Sequence, residues 1–110
     1  MSEFETNLTK LCLSDVDGLV KAAESYGTSW RNRGGVGAFM MLARKWDRLE
    51  NQVRKYNFDI FEAMIEDTRT EGIIDDIRDL RRYLLLVEEY MLYDKDAEPT
   101  SSYTNQDRLL

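Results

Sequence analysis

The chain has 110 residues, with 15 Lys and Arg against 21 Asp and Glu, a net charge of −6, and 43% of its residues are hydrophobic. That size and composition fit one globular domain with a single core. The acidic balance argues against general DNA or membrane-surface binding, which needs a basic face. Because the chain has no histidine, Ser-His-Asp and Cys-His catalysis are excluded.

The lack of targeting signals and the single cysteine both predict a reducing compartment. No stretch approaches the ~20 apolar residues of a membrane span, and the first residues lack the basic and apolar regions of a signal peptide. Cys12 is the single cysteine, so it cannot form an internal disulfide or a thiolate zinc site. We therefore expect a soluble cytoplasmic protein in which Cys12 is a buried core thiol.

The first third of the chain predicts two helices and a polar connector. Apolar residues at helical spacing within residues 2–12 predict a short first helix. Ser14 opens a Ser-x-x-acid capping pattern, which predicts a second helix that ends near Tyr26 and Gly27. In the connector, TSWRNRGGVG, Trp30 either folds back onto the core or offers its ring to a ligand. Its glycines lack the spacing of a P-loop or a dinucleotide fingerprint.

The rest of the chain predicts two long helices with a short one between them. A 3-4 apolar repeat predicts a helix over 36–55, a short helical segment follows over 59–65, and Thr70 could cap a last helix over 71–93. On this last helix, apolar residues also lie outside the main apolar stripe. We therefore expect an all-α bundle of four to five helices that oligomerisation completes. Residues 1–93 would form the single helical domain, and residues 94–110 a mostly disordered tail.

Two pairs of carboxylates, each three residues apart, border the apolar stripes of the long helices. They are Asp47 with Glu50, and Asp76 with Asp79. Residues three apart share a helix face, so packed helices could gather up to four carboxylates, which a hard cation such as Mg²⁺ or Mn²⁺ would stabilise. The alternative is a set of salt bridges at helical spacing: Asp47 with Arg44, Glu50 with Arg54, Asp75 with Arg78, and Asp79 with Arg82.

Two segments, SYGTSWRNRGGVGAFMMLARKWDRLENQV and EGIIDDIRDLRRYLLLVEEYM, resemble the MazG-like all-alpha nucleoside triphosphate pyrophosphohydrolases, and look closest to small phage-encoded members of the MazZ type. The resemblance covers roughly residues 15–93. The Glu-x-x-Glu and Glu-x-x-Asp motifs of that family match Asp47-x-x-Glu50 and Asp76-x-x-Asp79, with Asp in place of the first Glu of each motif. Aspartate has a shorter reach, so Asp75 or Glu71 could take the place of Asp76.

The resemblance implies metal-dependent hydrolysis of a deoxynucleoside triphosphate, dGTP and also dATP, to the monophosphate and pyrophosphate in phage nucleotide metabolism. Asp47, Glu50, Asp76 and Asp79 would hold Mg²⁺ or Mn²⁺, and Glu50 and Asp79 would be catalytic. It also implies a homodimer or homotetramer in the host cytoplasm. The expected substrate-binding residues lie on the connector and on the two long helices: Ser29, Trp30, Arg33, Lys45 and Tyr83.

Two other functions stay open. The broad apolar girth of residues 73–91 also suits a non-catalytic helical protein that oligomerises and binds a protein partner. A third hypothesis keeps the hydrolysis and changes the substrate to a pyrimidine or modified dNTP. None of the three involves nucleic acid or a membrane as partner.

Overall fold

The computed structural model describes residues 2–70 and 72–94. Within these residues the chain forms four α-helices and one 3₁₀ turn, and no strand. The helices are α1 (Glu3–Tyr26), α2 (Gly34–Arg54), α3 (Ile60–Glu66) and α4 (Ile73–Tyr93), with the 3₁₀ turn at Ser29–Arg31. The all-α prediction is confirmed. The predicted tail lies outside the described residues, apart from Asp94.

The first helix is continuous, so the prediction of two N-terminal helices is wrong. Its cap is Ser2, whose Oγ accepts a hydrogen bond of 3.0 Å from the N–H of Glu5. Ser14 lies in mid-helix, where its Oγ accepts a hydrogen bond of 2.8 Å from Nη2 of Arg82. The hydroxyl that would have capped a new helix is therefore bound by α4, and the backbone continues without a break.

The start of α4 also differs from the prediction. Its cap position is Gly72, not Thr70, and the backbone N–H of Gly72 donates a hydrogen bond of 3.2 Å to Oδ2 of Asp75. The start of α3 follows the expected chemistry. Asp59 caps it, because Oδ1 accepts hydrogen bonds of 3.1 Å from the N–H groups of Phe61 and Glu62.

The core lies where α2, α3 and α4 meet. Leu49 and Val53 of α2 pack with Ala63 of α3 and Ile73 of α4, all of them buried. Partly buried side chains surround this cluster: Tyr56, Ile60, Ile77 and Leu80. The two long helices run antiparallel, since Lys45 pairs with Asp79 and, three residues further along α2, Arg48 pairs with Asp76.

Much of the predicted apolar stripe remains on the surface of the single chain. Phe39 is 66% exposed and Trp46 53% exposed on α2, and Leu84 and Met91 are exposed on α4. Contiguous apolar surface is typical of faces that contact another protein.

Cys12 is exposed, so the prediction of a buried thiol is wrong. It lies on α1 among other exposed apolar side chains, including Leu8, Leu11 and Leu13. None of the helices in the described part of the chain has the length and apolar character needed to cross a bilayer.

Candidate functional site

A cleft of about 790 Å³ opens between α1, the connector, α2 and α4. Its volume lies within the usual range of small-molecule sites, ~300–1,000 Å³. The helix α1 contributes Leu19, Ala22, Ala23 and Tyr26 to its wall, and α2 contributes Met40, Met41 and Arg44. The five residues that the sequence assigned to substrate binding all line it as well: Ser29, Trp30, Arg33, Lys45 and Tyr83.

Aromatic rings packed edge to face form one end of the cleft. The ring centre of Trp30 lies 5.9 Å from that of Tyr83 and 5.6 Å from that of Tyr90, with interplanar angles of 82° and 89°. The hydroxyl oxygen of Tyr83 lies 3.5 Å from the carbonyl oxygen of Trp30. The guanidinium of Arg31 stacks on Tyr90 at 4.4 Å. Trp30 therefore folds back onto the α4 aromatics and still presents part of its ring to the cleft.

The hydroxyl of Tyr83 is a neutral group in this site. Tyr83 is buried, and burial raises the pKa of its phenol above the ordinary value. The hydroxyl therefore stays protonated at neutral pH and can donate one hydrogen bond to a ligand or to the backbone.

The cleft is basic although the chain is acidic. Arg33, Arg44 and Lys45 line it, and no carboxylate lies among its lining residues in the part of the chain that the structure describes. The net charge of the whole sequence is −6, so the charge of the cleft is opposite in sign to that of the chain as a whole. A surface of this kind attracts an anionic ligand, and guanidinium groups suit phosphate oxygens in particular.

Asp76 lies in a buried charge network between α2 and the start of α4. It is 2% exposed. Its Oδ2 accepts a hydrogen bond of 2.8 Å from Nη2 of Arg69, and its Oδ1 lies 2.9 Å from Nε of Arg48. That ion pair is close but poorly directed, because Oδ1 accepts no hydrogen bond within the described residues. Asp76 is thus neutralised by guanidinium groups.

Arg69 extends this network to the loop before α4. Its guanidinium also holds Asp67, with Nη2 at 2.6 Å from Oδ2 and Nε at 3.0 Å from both carboxylate oxygens. Arg69 lowers the pKa of the Asp67 carboxyl to about 2. The loop is therefore tied to α4 through a shared arginine.

The other three predicted metal ligands lie in different surroundings. Oδ2 of Asp79 is 4.0 Å from Nζ of Lys45, which lines the cleft. Oε1 of Glu50 is 3.7 Å from Arg54, one helical turn further along α2. Asp47 is exposed.

The salt-bridge interpretation of these acids is only partly met. Arg54 pairs with Glu50, and Arg78 lies 2.7 Å from Asp75. Arg82, the expected partner of Asp79, instead bonds Asp15 on α1.

A divalent cation has suitable donor atoms here, because the acids offer the oxygen ligands that Mg²⁺ and Mn²⁺ prefer. The described arrangement does not gather them. Among residues 2–70 and 72–94, no group of three or more His, Cys, Asp or Glu side chains is placed to hold a metal ion. Asp76 is committed to two arginines, and Glu71, the alternative ligand, lies outside the described residues. The metal-ligand set therefore stays a prediction.

Sequence reasoning missed two groups that shape the site. Arg44 lines the cleft, and its spacing from Gly37, Met40 and Met41 on one helix face could have revealed it. Asp15 bonds two arginines that lie 66 and 67 residues away, and no local pattern could have indicated such a contact.

The comparisons with known proteins identify no relative. No family model matches the chain, and no curated protein or solved structure matches it. The MazG-like resemblance therefore rests on the sequence motifs and stays a prediction.

Proposed function

We propose that this chain is a nucleoside triphosphate pyrophosphohydrolase that converts a purine dNTP, dGTP first, to the monophosphate and pyrophosphate. One observation carries the proposal. The five residues assigned to substrate binding from the sequence come from the connector, α2 and α4, and all of them line the same cleft. That cleft joins an aromatic end to basic side chains, the combination that a nucleotide requires.

Each side chain has a role that follows from its chemistry. The rings of Trp30 and Tyr83 offer an apolar, polarisable wall for a base. The hydroxyl of Ser29 offers a hydrogen bond to the base or sugar. Lys45 and Arg33 balance the charge that develops on the departing pyrophosphate, and Arg44 adds a third cation to the same wall.

Mg²⁺ or Mn²⁺, when bound, would supply charge neutralisation at the phosphates and an activated water. Glu50 and Asp79 are the acids best able to accept a new partner, since both are partly exposed and their ion pairs with Arg54 and Lys45 are long, at 3.7 and 4.0 Å. Asp76 is held by Arg48 and Arg69, so it would position the helices around the phosphates unless those arginines move.

Release of pyrophosphate from a panel of dNTPs, with Mn²⁺ or Mg²⁺, tests this proposal. We expect turnover of dGTP and dATP, and turnover confined to a pyrimidine or modified dNTP would redirect the substrate assignment. A parent protein that releases no pyrophosphate from any dNTP under these conditions would end the enzyme hypothesis.

The exposed apolar faces favour a second candidate, a non-catalytic helical protein that binds a protein partner. The large side chains of Phe39 and Trp46 on α2 and of Leu84 on α4 are exposed, and exposed apolar faces of this kind often contact another protein. A thermal-shift measurement separates the two candidates. Binding to the folded state raises the melting temperature, so Mn²⁺ with dNTP should raise it for the enzyme and leave it unchanged for a pure interaction protein.

We also propose that the chain forms a homodimer or a dimer of dimers through α2 and α4. These helices carry the acidic motifs and also much of the exposed apolar surface. Association would bury that surface, which favours it by ~25 cal/mol for each Å² of apolar area removed from water.

A further inference from the structure

A buried carboxylate holds α1 onto α4. Asp15 of α1 is 3% exposed. Its two oxygens accept a forked pair of hydrogen bonds from Arg81, 2.6 Å from Nε to Oδ2 and 2.7 Å from Nη2 to Oδ1. Nε of Arg82 donates a third, 2.8 Å from Oδ1. Forked guanidinium–carboxylate pairs fix orientation as well as distance.

Arg82 also grips the backbone of α1. Its Nη2 donates to the carbonyl oxygen of Ser14 at 2.9 Å and to the Ser14 hydroxyl at 2.8 Å. Gly18, one turn further along α1, permits this approach, because a Cβ there would lie 2.5 Å from Nη1 of Arg82. Asp15, Arg81, Arg82 and Gly18 thus form one polar clamp between the two helices, and hydrogen bonding to Arg81 is the main reason that the pKa of Asp15 falls to about 2.

Apolar packing contributes little to this attachment. Around Asp15 on α1, Leu11, Val16 and Val20 are exposed, and Leu19 is only partly buried. Gly27, which follows α1, and Gly34, the first residue of α2, both have positive φ. The position of α1 therefore depends on the clamp more than on a buried interface.

The clamp lies next to the cleft. Leu19, Ala22 and Tyr26, on the turns of α1 that follow Asp15, line one wall. Tyr83, which follows Arg82 directly on α4, lines another. The bonds from Asp15 to Arg81 and Arg82 thus fix the distance between two walls of the cleft.

We propose that Asp15 is a positioning residue that, through Arg81 and Arg82, holds α1 as a wall of the nucleotide cleft and sets substrate affinity. The proposal rests on the proposed function. A loosened α1 lowers the fraction of molecules with a formed cleft, and apparent affinity falls by that fraction. Chemistry in the saturated complex is unchanged, because Asp15 bonds arginines and does not line the cleft.

The test compares Asp15→Asn with Asp17→Asn, the same change two residues away. Asp17 is exposed and pairs with Lys21 at 3.2 Å. With dGTP and Mn²⁺ we expect Asp15→Asn to raise KM about tenfold and to keep kcat within about twofold of the parent, while Asp17→Asn keeps both. A parental KM in Asp15→Asn, or a lowered kcat at parental KM, would overturn the proposal.

Two milder variants keep the test open if Asp15→Asn fails to fold. Arg81→Lys retains the charge and loses the fork, and Gly18→Ala displaces Arg82. Both should raise KM by a smaller factor than Asp15→Asn. Gly18→Ala is informative because alanine in mid-helix ordinarily stabilises a helix relative to glycine, so a raised KM in that variant reports the clamp and not helix propensity. Parental KM in both variants would contradict the clamp.

Hydrogen–deuterium exchange without nucleotide separates the clamp from the enzyme proposal. Amides of residues 19–26 should lose protection in Asp15→Asn and keep it in Asp17→Asn, while α2 and α4 stay protected. If the parent turns over no dNTP, the function proposal fails and this exchange pattern still decides whether the clamp exists. Parental protection of residues 19–26 in Asp15→Asn would overturn the clamp whatever the enzyme does.

Discussion

Nε of Arg48 on α2 lies 2.9 Å from Oδ1 of Asp76 on α4. One turn back along α2 and one turn on along α4, Lys45 faces Asp79 at 4.0 Å. These contacts set the antiparallel register and place basic side chains of α2 against the acidic motif of α4. Asp47 lies about 200° around the helix from Lys45, so Asp47 is directed away from the acidic motif of α4 in the single chain.

Neutralising the two candidate catalytic acids tests the enzyme assignment. We expect Glu50→Gln and Asp79→Asn each to abolish dGTP turnover while circular dichroism shows helical content near that of the parent, because both side chains are partly exposed. Glu89→Gln, an exposed acid on the same helix as Asp79, is the matched control. Parental turnover in either of the first two variants would show that the site is misplaced.

Asp76→Asn should act on stability. It removes the charge of a buried side chain that Arg48 and Arg69 contact, while Arg48 is about half exposed and Arg69 keeps Asp67. We expect the free energy of unfolding to fall by roughly 2 kcal/mol. Asp79→Asn removes only a long, partly exposed ion pair and should cost less than about 1 kcal/mol. Urea unfolding of the two variants side by side measures the difference, and equal losses would contradict the buried network.

Trp30→Ala should weaken substrate binding, because it removes the aromatic end of the cleft and its packing against Tyr83 and Tyr90. We expect a rise in KM for dGTP of about tenfold, from the stacking lost, and Trp30→Phe should recover part of it. Tyr93→Ala serves as the control, since Tyr93 is an exposed aromatic residue that does not line the cleft. An unchanged KM in Trp30→Ala would remove the tryptophan from the site.

Acid should release the clamp at Asp15. The carboxyl has a pKa of about 2 in the folded chain, below its ordinary 3.8, because it faces Arg81 and Arg82 of α4. Its stabilisation is therefore complete above about pH 4 and is lost as the pH falls towards 2. Cys12 also lies near Arg81.

Thermal melting followed by circular dichroism between about pH 5 and pH 2 checks this dependence. Asp15→Asn should melt below the parent at the upper end of that range, and the gap should close at the lower end. Asp67 also has a pKa lowered to about 2, so its protonation destabilises the parent and Asp15→Asn alike as the pH falls. Measuring both in an Asp67→Asn background removes this shared contribution. A gap between parent and Asp15→Asn that stays constant with pH would contradict the assignment.

Association through α2 and α4 should be visible in solution. Sedimentation should give a multiple of the 12.9 kDa chain mass for the parent and smaller species for Trp46→Glu and Leu84→Glu, which place a charge in the proposed interface. Phe4→Glu, at a more exposed position on α1, should leave the assembly intact. A parent that is monomeric and fully active would refute the proposed architecture.

The sequence predicted the long elements well because they carry many periods of one pattern. The helix expected over 36–55 is observed as Gly34–Arg54, and the one expected over 71–93 as Ile73–Tyr93. Breaks without glycine or proline are less visible. The chain turns after α2 with Asn57 and Phe58 at positive φ. Asparagine is enriched in this conformation, but phenylalanine is not, and one asparagine alone does not locate a turn.

Sequence separation decides which parts of the site could be predicted. Several residues that line the cleft are close together in the chain, whereas the charge network joins residues that are far apart. Trp30, Arg33 and Lys45 are close in sequence to the helix that presents them, so local spacing places them together. Asp76 with Arg48 and Asp15 with Arg81 are long-range pairs whose partners depend on helix register and crossing. Spacing along one helix suggests a local salt bridge for every acid. Helix packing decides which arginine binds a residue of another helix instead, as Arg82 binds Asp15.

The position of Trp30 in the cleft wall allows ligand binding to be followed by tryptophan fluorescence. Of the two tryptophans in the chain, Trp30 lies in the cleft wall and Trp46 does not line it. Replacing Trp46 by phenylalanine would leave a single indole emitter whose fluorescence responds to whatever enters beside it. Titration of unlabelled compounds against that signal would reveal which of them the cavity accepts, even where no product is ever formed.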